Sequence, residues 1–253
     1  MTRETSAGET GLVERIRAGG RLPEHVAVIM DGNGRWAAER RLPRWQGHRE
    51  GMRAVRRCIE AAAEAGLEHL TLYAFSRENW ERPPQEIRAL MSLLSEFAER
   101  ERDELRGRGI RVRVFGDLDR LPDAARASVR MLEEATRGGR TLDLHIALSY
   151  GARDEILRAT RRLAAAAARG ELLPDDIDGA RFERELHTAG VPDPDLLIRT
   201  SGELRISNFL LWQIAYAELY VTSVLWPDFG KRDLFEAILD YQRRERRFGR
   251  VTS

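Results

Sequence analysis

Lysine is almost missing from this 253-residue chain: Lys231 is the only one, and arginine carries nearly all of the positive charge. No glycine-rich loop ends in Lys-Ser or Lys-Thr, which excludes a P-loop nucleotide site. A Schiff-base mechanism would have to rest on Lys231, in a polar stretch after Pro227. Cysteine is as scarce. Cys58 stands alone, so there is neither a disulfide framework nor a thiolate metal centre, and its apolar helical surroundings mark it as packed. No apolar run is long enough to span a membrane, and no segment reads as a signal peptide. Net charge is small as well, because 42 basic and 41 acidic residues leave +1. That argues against nucleic acid as a partner, which would need bulk electrostatic attraction. The expectation is a globular protein of the cytoplasm.

What is present is an alternation of short apolar runs and longer amphipathic stretches. Strand-like runs fall at residues 26–30, 69–75, 110–115, 142–148 and 196–199, with 216–221 a further candidate. Helical periodicity falls at 51–65, closed by Gly66, and from Pro84 to about Arg106, ended by Gly107 and Gly109. It recurs at 123–136 after Pro122, at 152–168 before Gly170, and at 232–247. This rhythm predicts an α/β fold: a single domain with a mostly parallel central sheet flanked by helices on both faces. Residues 1–22 read as a loose N-terminal arm, ahead of one catalytic domain over 23–253. In the Pro84 helix, Ile87, Leu90, Met91, Leu94, Phe97 and Ala98 recur at helical spacing. Such a stripe is a core face, and it can also wall an apolar tunnel between sheet and helices.

Chemistry gathers where strands end. The first run closes on Asp31-Gly32-Asn33-Gly34-Arg35-Trp36. In open α/β sheets the carboxyl edge is where ligands bind. Gly32 and Gly34 let the backbone turn sharply and bring bare N–H groups to an anion. A carboxylate beside such a nest suits a magnesium-bound diphosphate. Asp-Gly is also an ordinary turn signal, so the loop gains meaning from the other strand ends. One is followed by Ser76, Asn79 and Arg82, another by Arg199, Arg205 and Ser207. In a parallel sheet these share an edge with Asp31, and arginine grips phosphate oxygens as a planar fork. His48, between the Asp31 loop and a helix, can donate to a phosphate, or cap, or pack. Glu218 lies among apolar and aromatic neighbours, where a carboxylate is costly unless paired or metal-bound. With Asp31, diphosphate oxygens and water it would make a good magnesium site.

Several stretches together carry a resemblance: Met30 to Trp36, Gly47-His48, Thr71 to Ser76 with Glu78-Asn79-Trp80, Arg199-Thr200, Arg205 to Tyr220, Trp226 to Phe229 and Arg244 to Gly249. They resemble the cis-prenyltransferases, and closely the bacterial undecaprenyl diphosphate synthases, from about Pro23 to Arg250. The resemblance implies sequential cis condensation of isopentenyl diphosphate onto an allylic diphosphate such as farnesyl diphosphate. It implies magnesium, a homodimer, and peripheral contact with membrane through a lipid product. By position, Asp31 would coordinate Mg2+. Gly32, Asn33, Gly34, Arg35, Arg44 and His48 would hold the allylic diphosphate, with Trp36 in the same binding set. Arg199, Arg205 and Ser207 would bind isopentenyl diphosphate. Ser76, Asn79 and Arg82, beside Phe75 and Trp80, would lie near the condensing atoms and help proton removal. Glu218 would complete the second substrate's metal site, and Arg247 and Gly249 would reach the neighbouring subunit's site. Ala74, Leu94, Leu142 and Leu144 are expected to line the tunnel, and the small Ala74 suggests a long product of undecaprenyl size.

The chain departs from the family pattern in places. Ser201 stands where glycine is frequent and Leu204 where histidine is. Arg77 replaces a small polar residue, and Ser149 and Ala152 replace the usual asparagine and second glycine around Tyr150-Gly151. None removes a named phosphate or metal ligand. A phosphohydrolase using Asp31 as nucleophile would want a second acid where Asn33 stands. A catalytically silent partner subunit would be expected to lose the Asp31 loop. A short-chain or branching synthase stays open.

Overall fold

A computed structural model of the chain describes residues 2–244, with side chains from residue 9 onward. The frame is a sheet in the order β3-β4-β2-β1-β5-β6, with every neighbouring pair parallel. Its strands are β1 (His25–Ile29), β2 (His69–Ser76), β3 (Ile110–Phe115), β4 (Leu142–Tyr150), β5 (Leu196–Arg199) and β6 (Glu218–Val221). All five residues of β1 and all nine of β4 are buried. Strands covered on both faces read as near-continuous apolar runs, which is why these segments show little alternation. The mostly parallel α/β fold expected from the sequence is the fold observed.

The period of two divides the core. Val26, Val28, Leu70, Leu72, Leu142 and Leu144 face one way, against α3 (Arg44–Ala65), α4 (Pro84–Gly107), α5 (Asp123–Thr136) and α8 (Lys231–Arg243). Ala27, Ile29, Tyr73 and Ala147 face the other way, against Phe209, Leu210 and Ile214 and the start of α6 (Ala152–Ala168). Cys58 on α3 is packed as expected, and burial pushes its thiol up to about 12.

Several elements differ from the expectation. The N-terminal segment is a helix rather than a loose arm: α1 (Thr2–Ala18) buries Val13 and Ile16, and Gln242 of α8 donates to the Ile16 carbonyl at 2.9 Å. A short apolar stripe in a charged segment suffices once α8 supplies a partner surface. A second helix, α2 (Asn33–Glu39), follows Asp31 directly, and α3 begins at Arg44 rather than at residue 51. Gly47 and Gly51 weaken the helical signal there. They are needed because a side chain at Gly47 would strike the Asn33 carbonyl, and one at Gly51 the Asn33 side chain. Finally, β6 begins at Glu218, and α8 ends at Arg243 with Arg244 extended as its cap, while positions 245–247 of the expected helix lie outside the described residues.

Candidate active site

Parallel pairing sets the site. Ile29 at the end of β1 is in register with Tyr73 on β2 and with Arg199 on β5. The segments after these strands therefore emerge along one edge, and Asp31, Ser76 and Arg199 come together there. Asp31 is held on several sides. Its N–H donates to the Thr200 hydroxyl at 2.8 Å, and that hydroxyl lies 2.6 Å from the Asp31 carbonyl. Its carboxylate takes the Gly32 N–H at 2.7 Å and the Arg199 guanidinium at 2.7 Å. Gly32 adopts φ 111°, a conformation that glycine takes without strain.

Arg199 is only 5% exposed, yet its Nε has no partner. Its Nη1 donates to the Ser207 hydroxyl at 2.8 Å and to the Arg205 carbonyl. Ser207 and Asn208 have φ of 47° and 58°, left-handed backbone that costs a side-chain-bearing residue roughly 1–2 kcal/mol. Asn208 is fastened by donating to Glu78 at 2.9 Å.

These groups border a crevice of about 560 Å³. Of the residues singled out in the sequence, it gathers Asp31, Gly32, Asn33, Gly34, Arg44 and His48 with Ser76, Asn79 and Arg82, and with Arg199, Arg205 and Ser207. Arg35 is on the far side of Gly34, in a neighbouring hollow of about 610 Å³, and donates to Ser201 at 2.8 Å and Glu203 at 2.6 Å. Trp36 does not line the crevice; its indole N–H donates to Asp228 at 2.7 Å, and Arg40 lies over its ring. Trp80 packs edge-on against Phe75 at 5.1 Å and donates to the Ser149 hydroxyl at 2.9 Å.

Behind the crevice lies an apolar cavity of about 100 Å³, between β2 and β4 on one side and α3 and α4 on the other. Met30, Ala74, His48 and Leu90 border both spaces. Of the four residues expected along a tunnel, Ala74 and Leu94 line this cavity, and Phe75 lines it beside them. Leu142 and Leu144 do not. They share its face of β4 but sit nearer the amino end, and Ile146 and Leu148 line it instead.

The placement of Glu218 also bears on the sequence reading. Glu218 opens β6, in register with Leu196 and so with Val26, at the amino end of the sheet. Its carboxylate pairs with Arg244 at 3.0 Å, so within one chain it is not a partner of Asp31. Arg247 and Gly249 lie outside the described residues. Sequence reasoning also missed Glu86. One of its oxygens lies 3.2 Å from Arg44, 3.3 Å from His48 and 3.1 Å from Arg82. The signal was present: an acid in the first turn of a helix, four residues after Arg82. Burial pulls the His48 imidazole below its ordinary range, partly offset by the hydrogen bond to Glu86. The crevice thus offers fixed cationic and N–H donors, the accessible carboxylates of Asp31 and Glu78, and an apolar hollow behind them.

Comparison with known proteins agrees with this arrangement. A family model described as "Putative undecaprenyl diphosphate synthase" matches residues 29–249. An isoprenyl transferase of Heliobacterium mobile is 50% identical over 248 residues, covering 98% of this chain and 95% of that protein. Among solved structures, the lavandulyl diphosphate synthase of Lavandula x intermedia, in complex with dimethylallyl diphosphate, matches with a TM-score of 0.88 and 38% identity, over 90% of this chain and 98% of that one. A "probable undecaprenyl diphosphate synthase" of Campylobacter jejuni matches with a TM-score of 0.75 and 34% identity, over 91% of this chain and 100% of that one. The chain belongs to the cis-prenyltransferase family, of the undecaprenyl diphosphate synthase type.

Proposed function

We propose that the crevice condenses isopentenyl diphosphate, repeatedly and in cis, onto farnesyl diphosphate or a similar allylic primer, releasing diphosphate at each turn. The observation that carries this reading is the junction at Ala74, where a cationic crevice opens onto an apolar cavity. A diphosphate head and a hydrocarbon tail need those two surfaces back to back.

Arg44, His48, Asn33 and the Gly32–Gly34 backbone hold the primer's diphosphate, and Arg35 supports it from the adjoining hollow. Arg199, Arg205 and Ser207 hold the second diphosphate. The unpartnered Nε of Arg199 and Oδ1 of Asn33 are what a missing polar ligand would leave behind. As the allylic C–O bond breaks, negative charge grows on the departing diphosphate, and preorganised donors stabilise it. The isopentenyl double bond attacks the allylic carbon as its C–O bond to diphosphate breaks, and the resulting cation loses a proton to an oxygen of the departing diphosphate, restoring a double bond. Ser76, Asn79 and Arg82 stand beside that position and assist the proton's removal.

Asp31 fits a magnesium ion. Its side chain is 34% exposed, and its hard oxygens adjoin space for diphosphate oxygens and water. When bound, Mg2+ supplies charge neutralisation to the leaving diphosphate. A homodimer is supported by the uncovered edge strand β6, where Leu219 and Val221 are exposed. No helix among the described residues is long and apolar enough to cross a membrane, and the lipid product is the proposed route to peripheral membrane contact from the cytoplasm.

The product proposed is long, of undecaprenyl size. Since the cavity measures about 100 Å³, a long tail requires α3 and α4 to part. The same small cavity, with the likeness to a lavandulyl diphosphate synthase, favours a second reading, a short or branched product. Incubation with primer, labelled isopentenyl diphosphate and Mg2+ tests the activity. Label is expected in a polyprenyl fraction and lost in Asp31→Ala. Incorporation that persists in that variant, or phosphate release without chain growth, contradicts the proposal.

A further inference from the structure

At the amino end of the strands, away from Asp31, lies a second polar cluster. His69 opens β2 and is in register with Asp143 on β4, and His145 follows two residues later on the same face. Nδ1 of His69 is 3.2 Å from Nε2 of His145 and 3.9 Å from Oδ2 of Asp143. The two rings are inclined by only 18°, with centroids 5.5 Å apart, so they meet edge to edge through these nitrogens. His145 is 2% exposed, whereas the side chains of His69 and Asp143 keep 15% and 11%, so the cluster is built into the sheet but open to small ions. The ligand atoms of all three lie within 4.8 Å of one another.

We propose that His69, His145 and Asp143 bind a divalent transition-metal ion of the zinc class, distinct from the magnesium proposed at Asp31. Two imidazole nitrogens on a tetrahedral zinc, each about 2.05 Å from it, lie about 3.3 Å apart. The observed 3.2 Å is already that spacing. The Asp143 oxygen has about 0.5 Å to close against the same geometry. Imidazole donors select zinc, copper or nickel, while magnesium prefers an all-oxygen shell. The surroundings suit a ligand set as well. Arg111 on β3 grips both oxygens of the Asp143 carboxylate, Nε at 2.6 Å from Oδ1 and Nη2 on Oδ2, and fixes its orientation; Oδ2 would turn a second lone pair to the ion. His25 lies in the same patch but is committed, through Nδ1 to the Pro192 carbonyl at 2.6 Å and through Nε2 to the Thr71 hydroxyl at 2.7 Å. Water fills the fourth position from the solvent side. The bound ion ties β2 to β4, and through Arg111 to β3. Without it, an N–H···N hydrogen bond between the two histidines occupies the same gap.

The test uses the full, tag-free chain, stripped by chelation and held in excess Mg2+. Co2+ is titrated as an optical probe and then displaced with Zn2+. One equivalent with the visible bands of a tetrahedral ion is expected, with a rise in melting temperature on adding Zn2+. His145→Asn should weaken binding by at least about tenfold, and Asp31→Ala should leave it unchanged. If His145→Asn does not fold, His69→Gln takes its place. No Co2+ binding in excess Mg2+, equal affinity in the histidine variants, or loss of binding in Asp31→Ala each overturns the proposal.

Discussion

The two ends of the central sheet treat their polar residues in opposite ways. At the carboxyl end, Ser149, Ser201, Ser207, Asn208 and Leu210 all have positive φ, and buried polar atoms of Arg199 and Asn33 have no partner. At the amino end, His25 uses both ring nitrogens, Asp143 is clasped by Arg111, and Glu218 is paired with Arg244. Strain and unmet hydrogen bonds persist only where surrounding structure enforces them. One end therefore holds strained and unpaired polar groups toward a ligand, while at the other His25, Asp143 and Glu218 already have partners within the chain, and the ion proposed at His69 and His145 would add to that cohesion.

Removing the same residue type at each end is the sharpest way to break this comparison. Arg199→Ala is expected to raise KM for isopentenyl diphosphate by roughly 100-fold, with little change in melting temperature, because a charged hydrogen bond to ligand is lost. Arg111→Ala should leave KM unchanged and cost about 2 kcal/mol of stability, because it strips a buried carboxylate of its partner. Steady-state kinetics and urea unfolding on both variants check the pair, and a swap of the two phenotypes would end the distinction. A smaller effect is expected at Glu86. It positions Arg44, His48 and Arg82 without being a phosphate ligand itself, so Glu86→Gln should raise the primer's KM by about tenfold while kcat stays within about threefold. Glu86→Asp is expected to recover part of that loss.

The smallest effect concerns pH. Burial, then Arg158 and Arg162, hold the His187 imidazole down to about 4 from 6.5. Between those values the unfolded chain binds the proton and the folded chain does not. Its contribution is present above pH 6.5 and is lost as pH falls toward 4. Urea midpoints should therefore drop between pH 7.5 and pH 5, and His187→Gln should flatten that slope.

How much could be read in advance follows from the range of each interaction. The α/β rhythm, the strand runs and the Asp31 loop are local signals, and β1, β2, β3 and β5 lie within a residue or two of where periodicity puts them. Parallel pairing then brings Asp31, Arg199 and Ser76 to one edge without further information. The misses are matters of tertiary context. Glu218 reads in the sequence as costly unless paired or metal-bound, and which of the two holds is decided by Arg244, 26 residues away. Leu142 and Leu144 were on the correct face of β4, but how far along the strand the cavity sits depends on where α3 and α4 cross it. The start of α3 was hidden by Gly47 and Gly51, the glycines that let it approach Asn33. Ser201, at φ 74° where the family often carries glycine, has its hydroxyl and carbonyl held by Arg35, a contact no local pattern displays.

The central claim is that the polar crevice and the apolar cavity behind Ala74 form one working site. The measurement that tests it most directly is the product ladder of wild type beside Ala74→Leu, made from farnesyl diphosphate and labelled isopentenyl diphosphate under identical Mg2+. The account predicts a long polyprenyl product from wild type and a ladder cut short by several units in the variant, with the first condensation still proceeding. An identical ladder from both proteins would contradict it, because the growing tail would then not pass Ala74.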